Sequence, residues 1–167
     1  MVVGFMSIPT ENSERIRGNT VSAAVFIAFI VAIGLGIGYI TAPGEWYAGL
    51  SKPAFNPPAW VFGPVWTVLY VLIAIAGWRI WRLAPGSGAM KLWIAQMILN
   101  WLWSPAFFGA EAPRLALGII LALLASILLF MARAWTLDRW SVVLFVPYAA
   151  WAAFASVLNG AIAYLNP

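Results

Sequence analysis

The chain has 167 residues, 64% hydrophobic and 8% charged, with a mean hydropathy of +0.93. Soluble domains run about 45–50% apolar and about 25% charged, so a water-soluble fold of this size is excluded, and so is disorder, which needs low hydrophobicity and high net charge. The net charge of +4 is carried by bases set singly between apolar runs, unlike the clustered stripe of a nucleic-acid binder. With no cysteine and no histidine, there is no disulfide, no thiol nucleophile, no imidazole base and no His- or Cys-held metal.

In chain order, residues 1–19 carry Glu11, Glu14, Arg15 and Arg17 behind a weakly apolar start without a basic n-region. They read as a mobile tail ahead of an uncleaved first span. Uncharged runs follow at Val21–Ile40, Ala59–Trp78, Leu92–Ala110, Leu115–Ala132 and Val142–Leu165. Each meets the need for about 20 apolar residues to cross about 30 Å of hydrocarbon. The runs are continuously apolar, so helices rather than barrel strands are expected. The predicted fold is all-α, a polytopic five-transmembrane-helix bundle forming one domain over residues 20–167.

Between the first two runs lies TAPGEWYAGLSKPAFNPPA, residues 41–59. Pro43, Pro53, Pro57 and Pro58 forbid a continuous helix there, yet Trp46, Tyr47, Leu50 and Phe55 are too apolar to remain in water. This Pro-rich loop is expected to fold back over the bundle mouth as a lid capping a pocket. A rigid loop packed on helix ends is the plainer reading, and the two are compatible.

Lys and Arg are concentrated on one side of the expected bundle: Arg15, Arg17, Arg79, Arg82, Lys91, Arg133 and Arg139, against Lys52 and Arg114 on the other. That asymmetry predicts a cytoplasmic N-terminus and a C-terminus on the opposite side, in an integral multi-pass protein of a bacterial cell membrane. Trp46, Trp60, Trp78, Trp81, Trp93, Trp135 and Trp140 lie near span ends, where indoles favour the interface.

Within the spans, helical spacing places Trp66, Tyr70, Ile73 and Gly77 on one face of the second. Gln96, Asn100, Trp103 and Phe107 form a stripe on the third, and Trp151, Ala155 and Asn159 align on the fifth. Polar side chains in a span turn inward, so these faces are expected to converge on one aromatic pocket with a few polar groups. Helix packing and interhelical hydrogen bonds of about 0.6 kcal/mol account for the same residues without a ligand. Pro64, Pro105 and Pro147 read as kinks. Gly34 and Gly38 have the spacing of a close helix contact, inside one chain or across a dimer.

Three blocks of residues carry a family resemblance. The first is Trp46-Tyr47-x-x-Leu50-x-Lys52-Pro53-x-Phe55-Asn56-Pro57-Pro58, continuing through Phe62-Gly63-Pro64-Val65-Trp66-Thr67-x-Leu69-Tyr70. The second is Gln96-x-x-x-Asn100-x-x-Trp103-Ser104-Pro105-x-Phe107-Phe108-Gly109. The third is Phe145-Val146-Pro147-Tyr148-x-x-Trp151-x-x-Phe154-Ala155-x-x-Leu158-Asn159. Together they resemble the signature of the TspO/MBR family, the bacterial tryptophan-rich sensory proteins and the mitochondrial translocator protein, or peripheral-type benzodiazepine receptor.

The resemblance implies a bundle, commonly a homodimer, whose pocket is closed by the first loop. It implies binding of porphyrins such as protoporphyrin IX and of related flat hydrophobic ligands. By motif match it carries over Trp46, Tyr47, Trp66, Tyr70, Gln96, Trp151 and Ala155 as ligand-binding residues; Asn100 and Trp103 join them from the stripe. Lys52, the one base in the first loop, is a candidate partner for propionate carboxylates. The cholesterol-recognition pattern of many family members needs a base after Leu158-Asn159, and none follows Arg139, so sterol binding through it is not expected.

The leading functional reading is a membrane receptor or carrier for tetrapyrroles, with porphyrin as ligand and no obligatory cofactor or metal. Its partners are then the small molecule and the bilayer, and no nucleic acid. The first alternative is a light-dependent porphyrin-degrading enzyme whose catalytic groups are Trp66 and Trp151. The second, an exporter or channel, normally places an ionisable residue inside the membrane, and the five runs contain none.

Overall fold

The computed structural model describes the backbone of residues 10–167 and the side chains from Thr20 onward. The elements are α1 (Thr10–Ile40), the short α2 (Glu45–Gly49), a 3-10 turn (Ala59–Val61), α3 (Phe62–Leu83), α4 (Gly88–Ser104), a π turn (Pro105–Gly109), α5 (Pro113–Ala134) and α6 (Arg139–Leu165). No strand occurs among the described residues. Four helical stretches are long and apolar enough to cross a membrane, namely Thr20–Ile40, Ala59–Leu83, Pro113–Ala134 and Arg139–Leu165. α4 stops after 17 residues, where Pro105 begins the π turn. The chain is thus an all-helical integral membrane protein.

Local chemistry fixes the helix ends. Pro43 disfavours helical backbone at its predecessor, and α1 ends at Ile40 with Thr41 Oγ1 donating back to the Ile37 carbonyl at 2.8 Å. Ser87 caps α4 by accepting from the Met90 amide at 3.2 Å, and Pro113 occupies the first turn of α5, where its missing N–H costs nothing. Between the π turn and α5, Glu111 adopts a left-handed φ of 51°. The Ala112 amide closes this turn onto the Ala106 carbonyl at 3.1 Å. α1 begins at Thr10, so residues 10–19 of the expected tail are helical; residues 1–9 lie outside the described residues.

Going round the bundle, the helices pack in the order α1, α3, α6, α5, α4, and α4 returns weakly to α1. The core is largely apolar and aromatic, with Phe130 and Phe145 ring centres 4.2 Å apart beside the fully buried Tyr148. Two glycines permit the closest approaches. A Cβ at Gly77 would overlap the Trp93 indole, and one at Gly34 would overlap the Tyr70 ring. Trp93 therefore sits in the core, its Nε1 donating to the Ile73 carbonyl at 3.0 Å, and not in the interfacial belt expected for it. Trp60, Trp135 and Trp140 are exposed as a belt requires.

At the other end of the bundle from the first loop, Arg79 of α3 grips Asp138 through two hydrogen bonds, Nε to Oδ2 at 2.6 Å and Nη2 to Oδ1 at 2.9 Å. Asp138 also caps α6, accepting from the Ser141 amide at 3.2 Å and its hydroxyl at 2.7 Å. The Arg79 guanidinium, then the Ser141 contacts, hold the Asp138 carboxyl down at about 2. A depressed carboxyl favours the folded state above its ordinary value and loses that contribution as pH falls through the depressed one. The melting temperature in detergent is accordingly expected to fall between pH 3.8 and about 2, and this segment of the profile should flatten in Asp138→Asn. An identical acid profile in the variant would show that the clasp contributes nothing.

Candidate ligand site

An apolar cavity of ≈410 Å³ lies between α1, α3, α4 and the first loop. Its walls are Gly34, Ile37 and Gly38 from α1, Phe62, Trp66 and Tyr70 from α3, and Asn100, Trp103 and Ser104 from α4, with Phe108 of the π turn. None of its lining residues is charged. Trp66, Tyr70, Asn100 and Trp103 line it together. Trp66 and Tyr70 present neighbouring rings 5.5 Å apart, tilted by 33°. Thr41 and Ser104 hydroxyls meet at 2.6 Å and pin the end of α1 to α4 at the cavity edge.

The polar stripe of α4 does more than face this space. Tyr70 Oη donates to Asn100 Oδ1 at 2.7 Å, Asn100 Nδ2 donates to Tyr148 Oη at 2.9 Å, and Tyr148 Oη donates to Gln96 Oε1 at 2.9 Å. This chain ties α3, α4 and α6 through the middle of the bundle. Gln96 is wholly buried, and its Nε2 ends the chain with no partner. A second chain runs from Trp103 Nε1 to Asn159 Oδ1 at 3.1 Å and from Asn159 Nδ2 to the Pro113 carbonyl at 2.8 Å. Tyr148 belongs to the recognised motifs, yet spacing alone gives it no role, because its partners lie some fifty residues away in sequence; Asn159, expected on a pocket face, instead joins Trp103 to the Pro113 carbonyl.

The roof is an aromatic interlock. Trp46 meets Phe107 edge-on at 5.9 Å, and Tyr47 meets Phe107 and Phe108 at 6.1 and 5.3 Å. The π turn makes this possible by adding a residue to the helical register, so that adjacent Phe107 and Phe108 both reach the loop. Tyr47 Oη donates to Asn56 Oδ1 at 3.0 Å; burial raises its pKa, the Asn56 contact partly offsetting this, and the hydroxyl stays a donor. Asn166 closes the loop from the far side, accepting from the Ser51 amide and donating to its carbonyl, both at 3.0 Å.

Trp46, Tyr47 and Gln96 do not line the cavity, and three other expected site residues stand elsewhere too. Ala155 lines a crevice of ≈20 Å³ with Tyr47, Phe62 and Trp103. Trp151 lies half-buried in a groove on the α3–α6 flank, beside Pro64, Pro147 and Phe154. Lys52 does not reach the cavity, because its Nζ folds back to the Ala48 and Leu50 carbonyls at 3.1 Å each and sits 4.6 Å from the Tyr47 ring centre. It lines instead an open recess on the loop that shares Pro43 and Ala59 with the cavity.

The sequence pattern that defines the TspO/MBR family matches residues 26–165, from the cavity face of α1 through the end of α6. The chain belongs to the TspO/MBR family. It is similar to the tryptophan-rich sensory protein of Cereibacter sphaeroides, 39% identical over 138 residues, which cover 81% of this chain and 87% of that one. The tryptophan-rich protein TspO of Archaeoglobus fulgidus is 38% identical over 152 residues, covering 89% and 99% of the two chains. The human translocator protein is 36% identical over 144 residues, covering 80% and 85%. The matched region of this TspO/MBR protein includes every residue of the cavity, the roof and both hydrogen-bonded chains.

Proposed function

We propose that this TspO/MBR protein is a membrane receptor or carrier that takes flat tetrapyrroles, such as protoporphyrin IX, into the cavity beneath its first loop. The supporting observation is an uncharged, aromatic-walled space of ≈410 Å³, within the roughly 300–1,000 Å³ usual for small-molecule sites. A planar macrocycle stacks there on Trp66 and Tyr70, each ring pair worth about 0.5–1.5 kcal/mol beyond burial. Its carboxylates leave toward the recess that shares Pro43 and Ala59 with the cavity, where Lys52 carries the nearest positive charge.

The same reading makes α4 a fifth span. Its seventeen residues and the five of the π turn, at about 1.5 Å each, extend about 33 Å. An odd number of spans agrees with the Lys and Arg asymmetry and puts the N-terminus on the cytoplasmic side. Binding is favoured over turnover because Trp66 and Trp151 line separate recesses and the cavity lining carries no charged side chain.

Protoporphyrin IX added in the dark to the detergent-solubilised protein is expected to quench tryptophan fluorescence saturably. Trp66→Phe should weaken the affinity about fivefold, from about 1 kcal/mol of lost ring contact. Tyr164→Phe, at a residue 85% exposed, should not change it. Absence of saturable quenching, or equal affinities in all three chains, would overturn the reading.

A further inference from the structure

The cavity and the small crevice beneath α6 share three lining residues, Phe62, Trp103 and Phe108. Two of them are fixed in place. Trp103 is hydrogen-bonded to Asn159 and packs on Phe107 at 5.5 Å. Phe108 is held edge-on by Tyr47, Trp103 and Phe107. Phe62 is different. It is half-buried at the first position of α3, just after the 3-10 turn, and although it packs against the same buried cluster as Trp103 and Phe108, its ring meets a single ring among the described residues, Trp151, edge-on at 5.9 Å. The neighbouring Gly63 has open space where its Cβ would stand, so the chain there is uncrowded. Beyond Phe62 lie Ala155, across the crevice, and Trp151, against its ring.

From this arrangement we infer that Phe62 is a partition that sets the size of ligand the site admits. With the ring in place, the chamber takes a compact flat molecule against Trp66 and Tyr70. With the ring swung aside, the chamber joins the crevice, and a larger planar molecule extends to Ala155 and Trp151. A ligand that needs the minor, opened arrangement binds more weakly by the fraction of time that arrangement is populated. Removing the ring therefore strengthens large ligands and leaves small ones alone. The inference rests on the ligand-binding reading for the use of the site, while the partition itself is a property of the chain and is measurable without porphyrin.

The chain has no cysteine, so Ala155→Cys places a single thiol in the crevice. In lipid nanodiscs, its modification by N-ethylmaleimide is expected to be slow with Phe62 present. It should accelerate at least tenfold with Phe62→Ala and less with Phe62→Leu. In chains without the thiol, Phe62→Ala should raise affinity for protoporphyrin IX about tenfold and leave affinity for indole within twofold. Thiol rates that ignore both substitutions in folded protein, judged by an unchanged melting temperature, would overturn the partition. Equal strengthening of porphyrin and indole would overturn its role in size selection. If porphyrin binds none of the chains, the tetrapyrrole reading fails and the thiol rates alone decide the partition.

Discussion

Tyr148→Phe is expected to destabilise the protein by about 2 kcal/mol, within the range for depriving buried polar groups of their partner. The hydroxyl is the middle link of the buried chain, accepting from Asn100 and donating to Gln96. Its removal strands Asn100 Nδ2 and Gln96 Oε1 together. Gln96 already has no partner for Nε2, so the variant leaves a wholly buried amide with neither end satisfied. Interhelical hydrogen bonds in membranes average only about 0.6 kcal/mol and reach about 1.7, and the value expected here lies at the top of that range because two bonds are lost at once. Gln96→Leu deletes the half-satisfied amide itself and should cost less than Tyr148→Phe, although it removes one of the same bonds. Reversible unfolding in mixed detergent micelles gives both numbers. A Tyr148→Phe cost below about 0.5 kcal/mol, or a larger cost for Gln96→Leu, would show that the chain is not held as described.

Gly34→Ala should be the most damaging small substitution for ligand binding. A Cβ there overlaps three carbons of the Tyr70 ring. That ring cannot easily yield, being tied through Oη to Asn100 at 2.7 Å and set against Trp66. Overpacking of this kind costs about 1–3 kcal/mol, and the strain falls on the two surfaces that bound the cavity. Affinity for protoporphyrin IX is expected to drop more than tenfold, with a lower melting temperature. Gly36→Ala is the control. It meets no atom within 4 Å and gains up to about 1 kcal/mol of helix propensity, so it should be neutral or stabilising. Equal behaviour of the two variants would mean that α1 does not lean on Tyr70.

Much of this architecture is legible in the sequence. Continuous apolar runs locate the helices, and the downstream limits at Ile40 and Leu165 coincide with helix ends. The upstream limits of the first and last runs fail, because charges do not stop a helix: α1 continues back to Thr10 and α6 to Arg139. The third run hides a change of register. Periodicity carried from Gln96 to Phe107 assumes one helix, whereas Pro105 opens a π turn that sends Phe107 and Phe108 to the roof. The site is half legible. The i, i+4 pair Trp66 and Tyr70 reaches the cavity as spacing requires, and Asn100 and Trp103 with it. Gln96 shares their helix face but sits one turn deeper, where Tyr148 claims it. Trp151 and Ala155 keep their expected helical relation to each other, but Phe62 stands between them and the chamber, and no spacing rule carries information about a ring 89 positions away.

The chamber's outer wall is α1, which packs chiefly on α3 and leaves Val21, Val25, Phe29 and Ile40 exposed. What presses that wall inward is therefore the surrounding lipid. Lateral pressure and acyl-chain length are accordingly expected to act on the proposed binding equilibrium, so that affinity measured in a micelle, a thin bilayer and a thick one should differ.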